Sequence, residues 1–568
     1  MKMISSLLGL CACTVALLTP PAARAQATPD EWWKHAVIYE IYPRSFQDTN
    51  HDGTGDLKGI EQRLDYLKEL GIDAIWITPM YPSPQVDFGY DIKDYEAIDP
   101  QYGTMADFDN LMKAAKARNI RVIMDLVLNH TSDQHPWLLE SRSSKTNPKR
   151  DWYIWRDGKN GGPPNNWQSW FGHSAWKLDP ATGQYYYHYF YTEQPDLNWR
   201  NPEVRKAMYA ALRFWLDKGV AGFRMDAVSR LFEDPDLHDD PYLPGYNAFG
   251  DRNIQHKYTD DLPEIHDVFK EVRALVDTYP GHPVLMSEAD EPNIEALSKM
   301  YGAKGDETQL PMDFQIADAN ELSAGKFRKL FDEVETNPAG GWPEFFFSNH
   351  DQPRQWDRYG DGKHNDQIAK LMATLELTAR GTPQMYYGEE LGMRTTEPTR
   401  KEDVRDPEGI TGWPKEKGRD GERTPMQWTP EPNSGFTGAE VKPWLPVPPS
   451  AKTVNVKSEL ADPGSILSFY KALLKLRHTE PALLEGNYKS VDKENAEVFS
   501  YLRCPKVGNC LLVALNMSSK TQAVHYDLKT EGIATTSGEI ALANYRAEKV
   551  DLKQVEIPAF GAAVIRVR

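Results

Sequence analysis

Val220-Ala221-Gly222-Phe223-Arg224-Met225-Asp226 pushes an Arg and an Asp, two residues apart, out of an otherwise apolar run. Alternate side chains of a strand share a face, so Arg224 and Asp226 point the same way at its C-terminal tip. A parallel barrel keeps its chemistry at that end of its strands. The plain alternative is a surface ion pair. The buried character of the preceding residues argues against it, because a charge taken out of water is costly unless it is paired and used.

Three other apolar runs finish in the same way. Arg121-Val122-Ile123-Met124 leads into Asp125-Leu126-Val127-Leu128-Asn129-His130, Pro283-Val284-Leu285-Met286 into Ser287-Glu288, and Glu344-Phe345-Phe346-Phe347 into Ser348-Asn349-His350-Asp351. Four such endings in series, each with a His or a carboxylate, describe one rim. Between residues 36 and 387, strand-like runs (37–42, 74–78, 122–127, 220–225, 284–287, 310–314, 345–348, 385–387) alternate with helical ones (57–70, 105–118, 204–218, 264–276, 367–378). Such alternation predicts a parallel (β/α)8 barrel with its site at the C-terminal rim.

The segments DLVLNH, GFRMDAV, that around Glu288, and SNHDQ resemble, in order and spacing, the signature regions of the α-amylase family, glycoside hydrolase family 13. The resemblance runs from about Trp33 to the C-terminus. It implies that Asp226 is the catalytic nucleophile, Glu288 the general acid/base and Asp351 a third carboxylate that stabilises the transition state. It places His130, Arg224 and His350 on sugar-binding positions. The chemistry is coherent without the family: retaining cleavage of a glycosidic bond needs a carboxylate nucleophile opposite a carboxylic acid about 5 to 5.5 Å away. Arg224 beside Asp226 is expected to hold the nucleophile ionised.

Asp87-Phe88-Gly89-Tyr90-Asp91 follows the second strand, and the resemblance implies that Asp87 and Tyr90 grip the non-reducing terminal glucose. A pocket closed in that way acts on chain ends. Asn165-Asn166-Trp167-Gln168-Ser169-Trp170-Phe171 is similar to a segment of α-glucosidases that puts Phe171 in the pocket wall. Gln194-Pro195-Asp196-Leu197-Asn198 and the run from Arg419 to Trp428 are similar to the oligo-1,6-glucosidase branch, with Arg419 the favoured sugar contact and Arg423 its rival. In that branch the residue after the nucleophile tends to be Val in α-1,6 cleavers and Thr or Ala in α-1,4 cleavers. Here it is Ala227, which implies α-1,4 preference, on maltose and malto-oligosaccharides, with transglucosylation as a side activity. Oligo-1,6-glucosidase and trehalose synthase are the rival activities, the latter for the shared YPSP at residues 81–84. An inactive sugar-binding barrel is the rival outside enzymes, and the presence of all three carboxylates argues against it.

Asp48-Thr49-Asn50-His51-Asp52-Gly53-Thr54-Gly55-Asp56 sets oxygen side chains at every second position around a glycine, as the start of an EF-hand loop does. Hard oxygen donors without sulfur point to Ca²⁺ or Mg²⁺. The loop resembles the structural metal loop of oligo-1,6-glucosidases, which implies Asp48, Asn50, Asp52, Asp56 and the carbonyl of Thr54 as ligands. A solvated turn is the alternative, since the closing Glu of an EF-hand is missing.

At the N-terminus, Lys2, an apolar run over residues 4–18 and Ala23-Arg24-Ala25 follow the plan of a secretory signal peptide covering residues 1–25. It implies a periplasmic or secreted protein. Its removal takes away Lys2 and Arg24 and so moves the formal charge from −18 to −20. A chain that acidic repels nucleic acid and anionic membranes, and no later run is long enough to span a bilayer. Small neutral α-glucosides fit instead. Of the cysteines left after that cut, Cys504 and Cys510 flank a turn and are placed to pair in an oxidising compartment. The expected division is a catalytic barrel over 26–130 and 202–483, an inserted domain over 131–201, and an all-β C-terminal domain over 484–568.

Overall fold

The computed structural model describes residues 31–337 and 339–568, so the signal-peptide reading of residues 1–25 lies outside the described residues. One sheet of eight strands organises the molecule: Ile38–Ile41 (β1), Ala74–Ile77 (β2), Arg121–Val127 (β3), Gly222–Asp226 (β4), Val284–Ser287 (β5), Leu310–Pro311 (β6), Glu344–Phe345 (β7) and Thr382–Tyr386 (β8). Every pairing is parallel, in the order β6-β5-β4-β3-β2-β1-β8-β7, and a Met312–Glu344 bridge closes the ring. This is the (β/α)8 barrel that the alternation of runs predicts.

Helices return the chain between strands, and local chemistry sets their ends. Asp56 caps Leu57–Leu70 by accepting the Gly59 N–H, and Gly71 stops it in the left-handed region. Thr104 and Asp107 form a reciprocal capping box at the start of Met105–Ala117, which satisfies two amides that the helix cannot.

Strand alternation sorts the core into two layers. Ile38, Ala74, Trp76, Ile123, Val284, Met286 and Leu310 belong to a cluster inside the ring, while their neighbours Tyr39, Ile41, Ile75, Ile77, Val122 and Met124 pack outward against the helices. Continuing the inward set by two residues reaches Glu40 from Ile38 and Asp125 from Ile123, and the β4 register puts Arg224 beside Asp125 and Met286. The apolar interior thus ends in a polar layer at the strands' C-terminal tips. Gly222 opens β4 at φ 150°, where an added Cβ would collide with the Val284 carbonyl, so β4 and β5 approach closely just below that layer.

Two stretches read as strands end sooner. Residues 310–314 pair with β5 only over Leu310–Pro311 and with β7 only through the Met312 bridge, because Asp313 accepts the amides of Gln315 and Ile316 and starts a helical turn at Phe314. Residues 345–348 pair only over Glu344–Phe345; beyond, Ser348 Oγ donates to Glu389 and Asn349 Oδ1 accepts the Asp351 N–H, so side chains replace the ladder.

Between β3 and the helix Pro202–Asp217 stands a three-stranded antiparallel sheet of Trp155–Arg156, Gln184–Tyr187 and Trp176–Asp179, with its own aromatic cluster around Trp167, Trp176 and Tyr187. After β4 comes a hairpin, Tyr242–Tyr246 with Arg252–Ile254, that the sequence reading does not contain. The C-terminal part is a six-stranded sheet facing a two-stranded one across a second apolar cluster. Cys504 and Cys510 form a disulfide between neighbouring strands there. Among the described residues no helix is long and apolar enough to cross a membrane.

Candidate active site

A cavity of about 440 Å³ opens above the polar layer, lined among others by Asp87, Tyr90, His130, Phe171, Asp226, Ala227, Glu288, Asp351 and Arg419. That volume lies in the ordinary range of small-ligand sites. Segments far apart in sequence supply these side chains, because each ends a different strand or follows one.

Arg224 is the floor of the site and is fully buried. Its Nη1 donates to Asp226 Oδ1 at 2.6 Å and to Asp125 Oδ1 at 3.0 Å, and its Nη2 stands 2.9 Å from Glu288 Oε2 in an ion-pair contact without hydrogen-bond alignment. The aligned bond to Glu288 comes from the backbone: Ala227 N–H donates to Oε2 at 2.8 Å. Ala227 can aim that amide because it sits in the left-handed region, φ 46° and ψ 40°, directly after the strand. The Trp76 ring lies 4.9 Å from the guanidinium and seals it from below.

One cation faces three carboxylates here, and the balance differs from the expectation that Arg224 simply keeps Asp226 ionised. Burial raises the Asp226 carboxyl well above the usual range; Arg224 opposes this, while Glu288 and Asp125 add to it. Asp125 is likewise pushed up, to about 6, by burial against the opposing pull of Arg224. Desolvation and mutual repulsion together outweigh a single guanidinium.

Asp351 behaves in the opposite way. Burial would raise it, yet it is held below the usual carboxylate range by His350, Arg419 and Arg423. Burial keeps the His350 imidazole neutral, so the two arginines do most of the holding. Arg419 Nη1 and Arg423 Nη2 reach Asp351 Oδ1 at 2.9 and 2.7 Å. Of the two, Arg419 lines the cavity, whereas Arg423 lies behind it and donates to the His350 carbonyl. Arg419 also donates to Asp87 at 3.2 Å and to Asp406 at 2.8 Å, so it ties the second-strand loop to the loop after β8 and closes one end of the cavity. Phe171 stands beside it, 5.4 Å from the guanidinium and stacked at 4.0 Å on Tyr191.

His350 is clamped between Glu40, whose Oε1 accepts from Nδ1 at 2.7 Å, and the Tyr90 hydroxyl at 2.7 Å from Nε2. One face of the Tyr90 ring stacks on it, with centroids 5.4 Å apart. His130 is neutral, driven down to about 3 by burial, and touches the Tyr90 carbonyl and Gln194, which in turn donates to Asp87. The sequence reading assigns no role to Glu40, Asp125 or Gln194. The period-two continuation of Ile38 and Ile123 is the signal that finds the first two. The sequence reading also passes over Trp170, Ser229, Arg230 and Glu408 in the cavity wall, which sit on a turn, on the 3-10 helix Val228–Arg230 and on the helix Pro407–Gly412, elements too short to imprint a period.

The residues expected to hold a metal lie off the strands. Asp48 Oδ1 accepts the amides of Asn50 and His51, its Oδ2 that of Gly53, Asp52 Oδ1 that of Thr54, and Asp56 Oδ1 that of Gly59. The donors are all oxygen and the backbone pins each carboxylate, which suits a hard cation. The carboxylates alone do not converge: among the described residues, the one group of three His, Cys, Asp or Glu side chains with ligand atoms within 4.8 Å is Asp234, Asp236 and His238. A cation in the loop would therefore draw on the Asn50 amide and the Thr54 carbonyl.

The fold and this constellation have clear relatives. The model of the α-amylase catalytic domain matches residues 40–486, and the chain belongs to that family of glycoside hydrolases. It is 40% identical to an oligo-1,6-glucosidase of Parageobacillus thermoglucosidasius, over 94% of this chain and 99% of that protein. It is 41% identical to a probable alpha-glucosidase of Rhizobium meliloti, over 95% and 98%. Among solved structures it superposes on an isomaltulose synthase mutant from Erwinia rhapontici in complex with sucrose, with a TM-score of 0.87 at 37% identity over 96% of this chain and 100% of the other. The trehalulose synthase of Pseudomonas mesoacidophila gives 0.85 at 38%, over 94% and 99%.

Asp406, fully buried under Arg419, yields a stability test. Burial alone would raise it, but Arg419 brings it down to about 2. A depressed carboxylate contributes stability that is complete above its unfolded value near 4 and is lost as pH falls toward 2. That contribution is about 2 kcal/mol. In urea unfolding, Asp406→Asn should be destabilised at pH 7, with the gap to wild type narrowing between pH 4 and 2; a gap independent of pH contradicts this.

Proposed function

We propose that this glycoside hydrolase is an exported, retaining exo-α-glucosidase that releases glucose from the non-reducing end of short α-glucosides, preferring α-1,4 linkages. The observation that carries the reading is the pairing of Asp226 and Glu288 on one buried guanidinium beneath a cavity whose far end Arg419 and Asp87 close.

In this reading the terminal glucose lies against Asp87, His130 and His350. Glu288 protonates the departing oxygen while Asp226 attacks the anomeric carbon, giving a covalent glucosyl ester and a free leaving sugar. Glu288 then takes a proton from water, which attacks the ester and releases α-glucose with Asp226 restored. The positive charge that develops on the sugar compensates for the excess of carboxylate and favours ionised Asp226 and Asp351 in the transition state. A sugar hydroxyl in place of water would give transglucosylation. The likeness to enzymes named for trehalulose and isomaltulose synthesis supports that transfer as the second reading.

For linkage, the support is Ala227, which lines the cavity and holds the acid/base through its amide. Several relatives are named oligo-1,6-glucosidases, so the preference separates this chain from them. For export, the support is the N-terminal plan together with the Cys504–Cys510 disulfide; the mature protein should begin at Gln26 on N-terminal sequencing, and an uncut Met1 in exported material would overturn it. For a structural Ca²⁺ or Mg²⁺, the support is the all-oxygen loop from Asp48 to Asp56.

Asp226→Asn and Glu288→Gln should fold normally and lose at least about 10⁴-fold in turnover, since each removes one half of the double displacement. First-formed product should be α-glucose by NMR; β-glucose, or Asp226→Asn at near wild-type rate, would sink the assignment. Wild type should prefer maltose to isomaltose, and Ala227→Val should move the kcat/KM ratio toward isomaltose by roughly 10-fold or more. Backbone strain from Val at a positive φ falls on both substrates, so the ratio isolates linkage. An unchanged ratio, or sucrose turned into an isomeric disaccharide faster than maltose is hydrolysed, would refute the reading.

Stripping divalent ions should lower the melting temperature while leaving turnover well below melting nearly constant, because ions that bind only the folded loop stabilise it by mass action. Asp52→Ala should abolish that sensitivity. Full chelator sensitivity in Asp52→Ala would reduce the loop to a turn.

A further inference from the structure

The tip of β7 is fastened from behind by a pair of buried acids. Where the ladder stops after Phe345, Ser348 Oγ donates to Glu389 Oε2 at 3.0 Å. Glu389 follows β8 in the 3-10 helix Glu389–Leu391, and neither it nor Ser348 lines the catalytic cavity. Its other oxygen, Oε1, accepts from the Tyr470 hydroxyl at 2.9 Å. That hydroxyl itself accepts from Gln355 Nε2 at 2.7 Å, so its one hydrogen is turned toward Glu389. Both oxygens of Glu389 are therefore engaged as acceptors.

Against Glu389 lies a second carboxyl, Glu376 of the helix Asn365–Thr378, and the two side chains hydrogen-bond to each other. Two carboxyls can meet in that way only if one of them carries a proton. Glu376 is fully buried and neither of its oxygens meets a donor among the described residues, whereas Glu389 already accepts from two hydroxyls. The proton thus belongs on Glu376, which donates it, and Glu389 is an anion on which three donors converge. Burial pushes the Glu376 carboxyl well above its usual range, which agrees with that placement.

Ser348 opens the run Ser348-Asn349-His350-Asp351, so this tether fixes the backbone that carries Asp351, while Arg419 and Arg423 hold its carboxylate from the loop after β8. We propose that Glu389 is a positioning residue for Asp351, acting through Ser348, and that Glu376 is the neutral acid whose shared proton allows two buried carboxyls to meet there. The inference rests on the glucosidase reading of Asp351 and adds what keeps that carboxylate in place.

The test is kinetic, on maltose, with each variant measured well below its melting temperature. Ser348→Ala and Glu389→Gln should each lose roughly 10- to 100-fold in kcat with KM within about threefold, the size of a hydrogen bond to a charged group, because a displaced Asp351 weakens the transition state more than the bound substrate. The double variant should fall no further than the worse single one, since both remove the same tether. Ser348→Thr restores the hydroxyl and should recover most of the turnover. Glu376→Gln, whose amide N–H donates as the acid does, should keep kcat within about twofold of wild type. The proton has its own readout. A buried acid with a raised folded value gives stability that is complete below its unfolded value near 4 and is lost as pH rises, so Glu376→Gln should gain on wild type in urea unfolding between about pH 5 and 8. Glu344, Glu390, Arg477, Tyr359 and Tyr470 are the other charged or titratable groups facing the pair, and all are present in both proteins. Additive losses in the double variant, losses carried by KM, or a Glu376→Gln protein whose stability tracks wild type across that range overturns the proposal. Full activity in Asp351→Asn rejects the reading of Asp351 itself, a result separate from any of these.

Discussion

Everything at the rim depends on one buried guanidinium. Arg224 has no contact with solvent, and carboxylates surround it from three strands: Asp125 from β3, Asp226 from its own strand and Glu288 from just beyond β5. Taking that charge out of water would be prohibitive alone, and the three anions are what make it tolerable. The anions in turn exceed the cation, so they remain partly desolvated and partly unneutralised. That imbalance is useful in a site whose transition state carries positive charge, because the arriving ligand completes the electrostatics.

The second cationic group does a different task. Arg419 binds Asp87, Asp351 and Asp406, which come from three widely separated segments, and so closes the cavity at one end. In the proposed reading Arg224 sets where chemistry occurs, and Arg419 sets how much of a substrate can pass beyond it. Both rest on a barrel whose interior is filled up to the level of the strand tips, leaving the space above as the place where a ligand fits.

The sequence was informative where periodicity and local capping operate. The barrel strands and helices are readable because inward and outward residues alternate and because Asp56, Gly71 and Thr104 mark helix ends. Arg224 and Asp226 are readable because a strand's period of two puts them on one face, and their 2.6 Å contact follows from it. The ends of β6 and β7 were not readable, since Asp313, Ser348 and Asn349 displace ladder bonds through side-chain partners that only the fold brings near. The hairpin after β4 was hidden for another reason: residues 241–246 are all exposed and contain Pro and Gly, so no buried face imprints a pattern. Arg230 and Glu408 reach the cavity from the short helices Val228–Arg230 and Pro407–Gly412, which span too few turns to show a period. The direction of the Asp226 shift also escaped, because a pairwise view of Arg224 and Asp226 omits the competing Asp125 and Glu288.

In the proposed mechanism Asp226 forms a covalent bond to the sugar while Glu288 and Asp351 do not. Incubation with a fluorinated glucosyl fluoride, whose ester hydrolyses slowly, followed by mass spectrometry of the protease-digested protein, reads that bond directly. One added fluoroglucosyl mass is expected on the peptide that contains Asp226. A label on the peptide of Glu288 or Asp351, or rapid turnover of the reagent with no labelled peptide and inverted product, would contradict it.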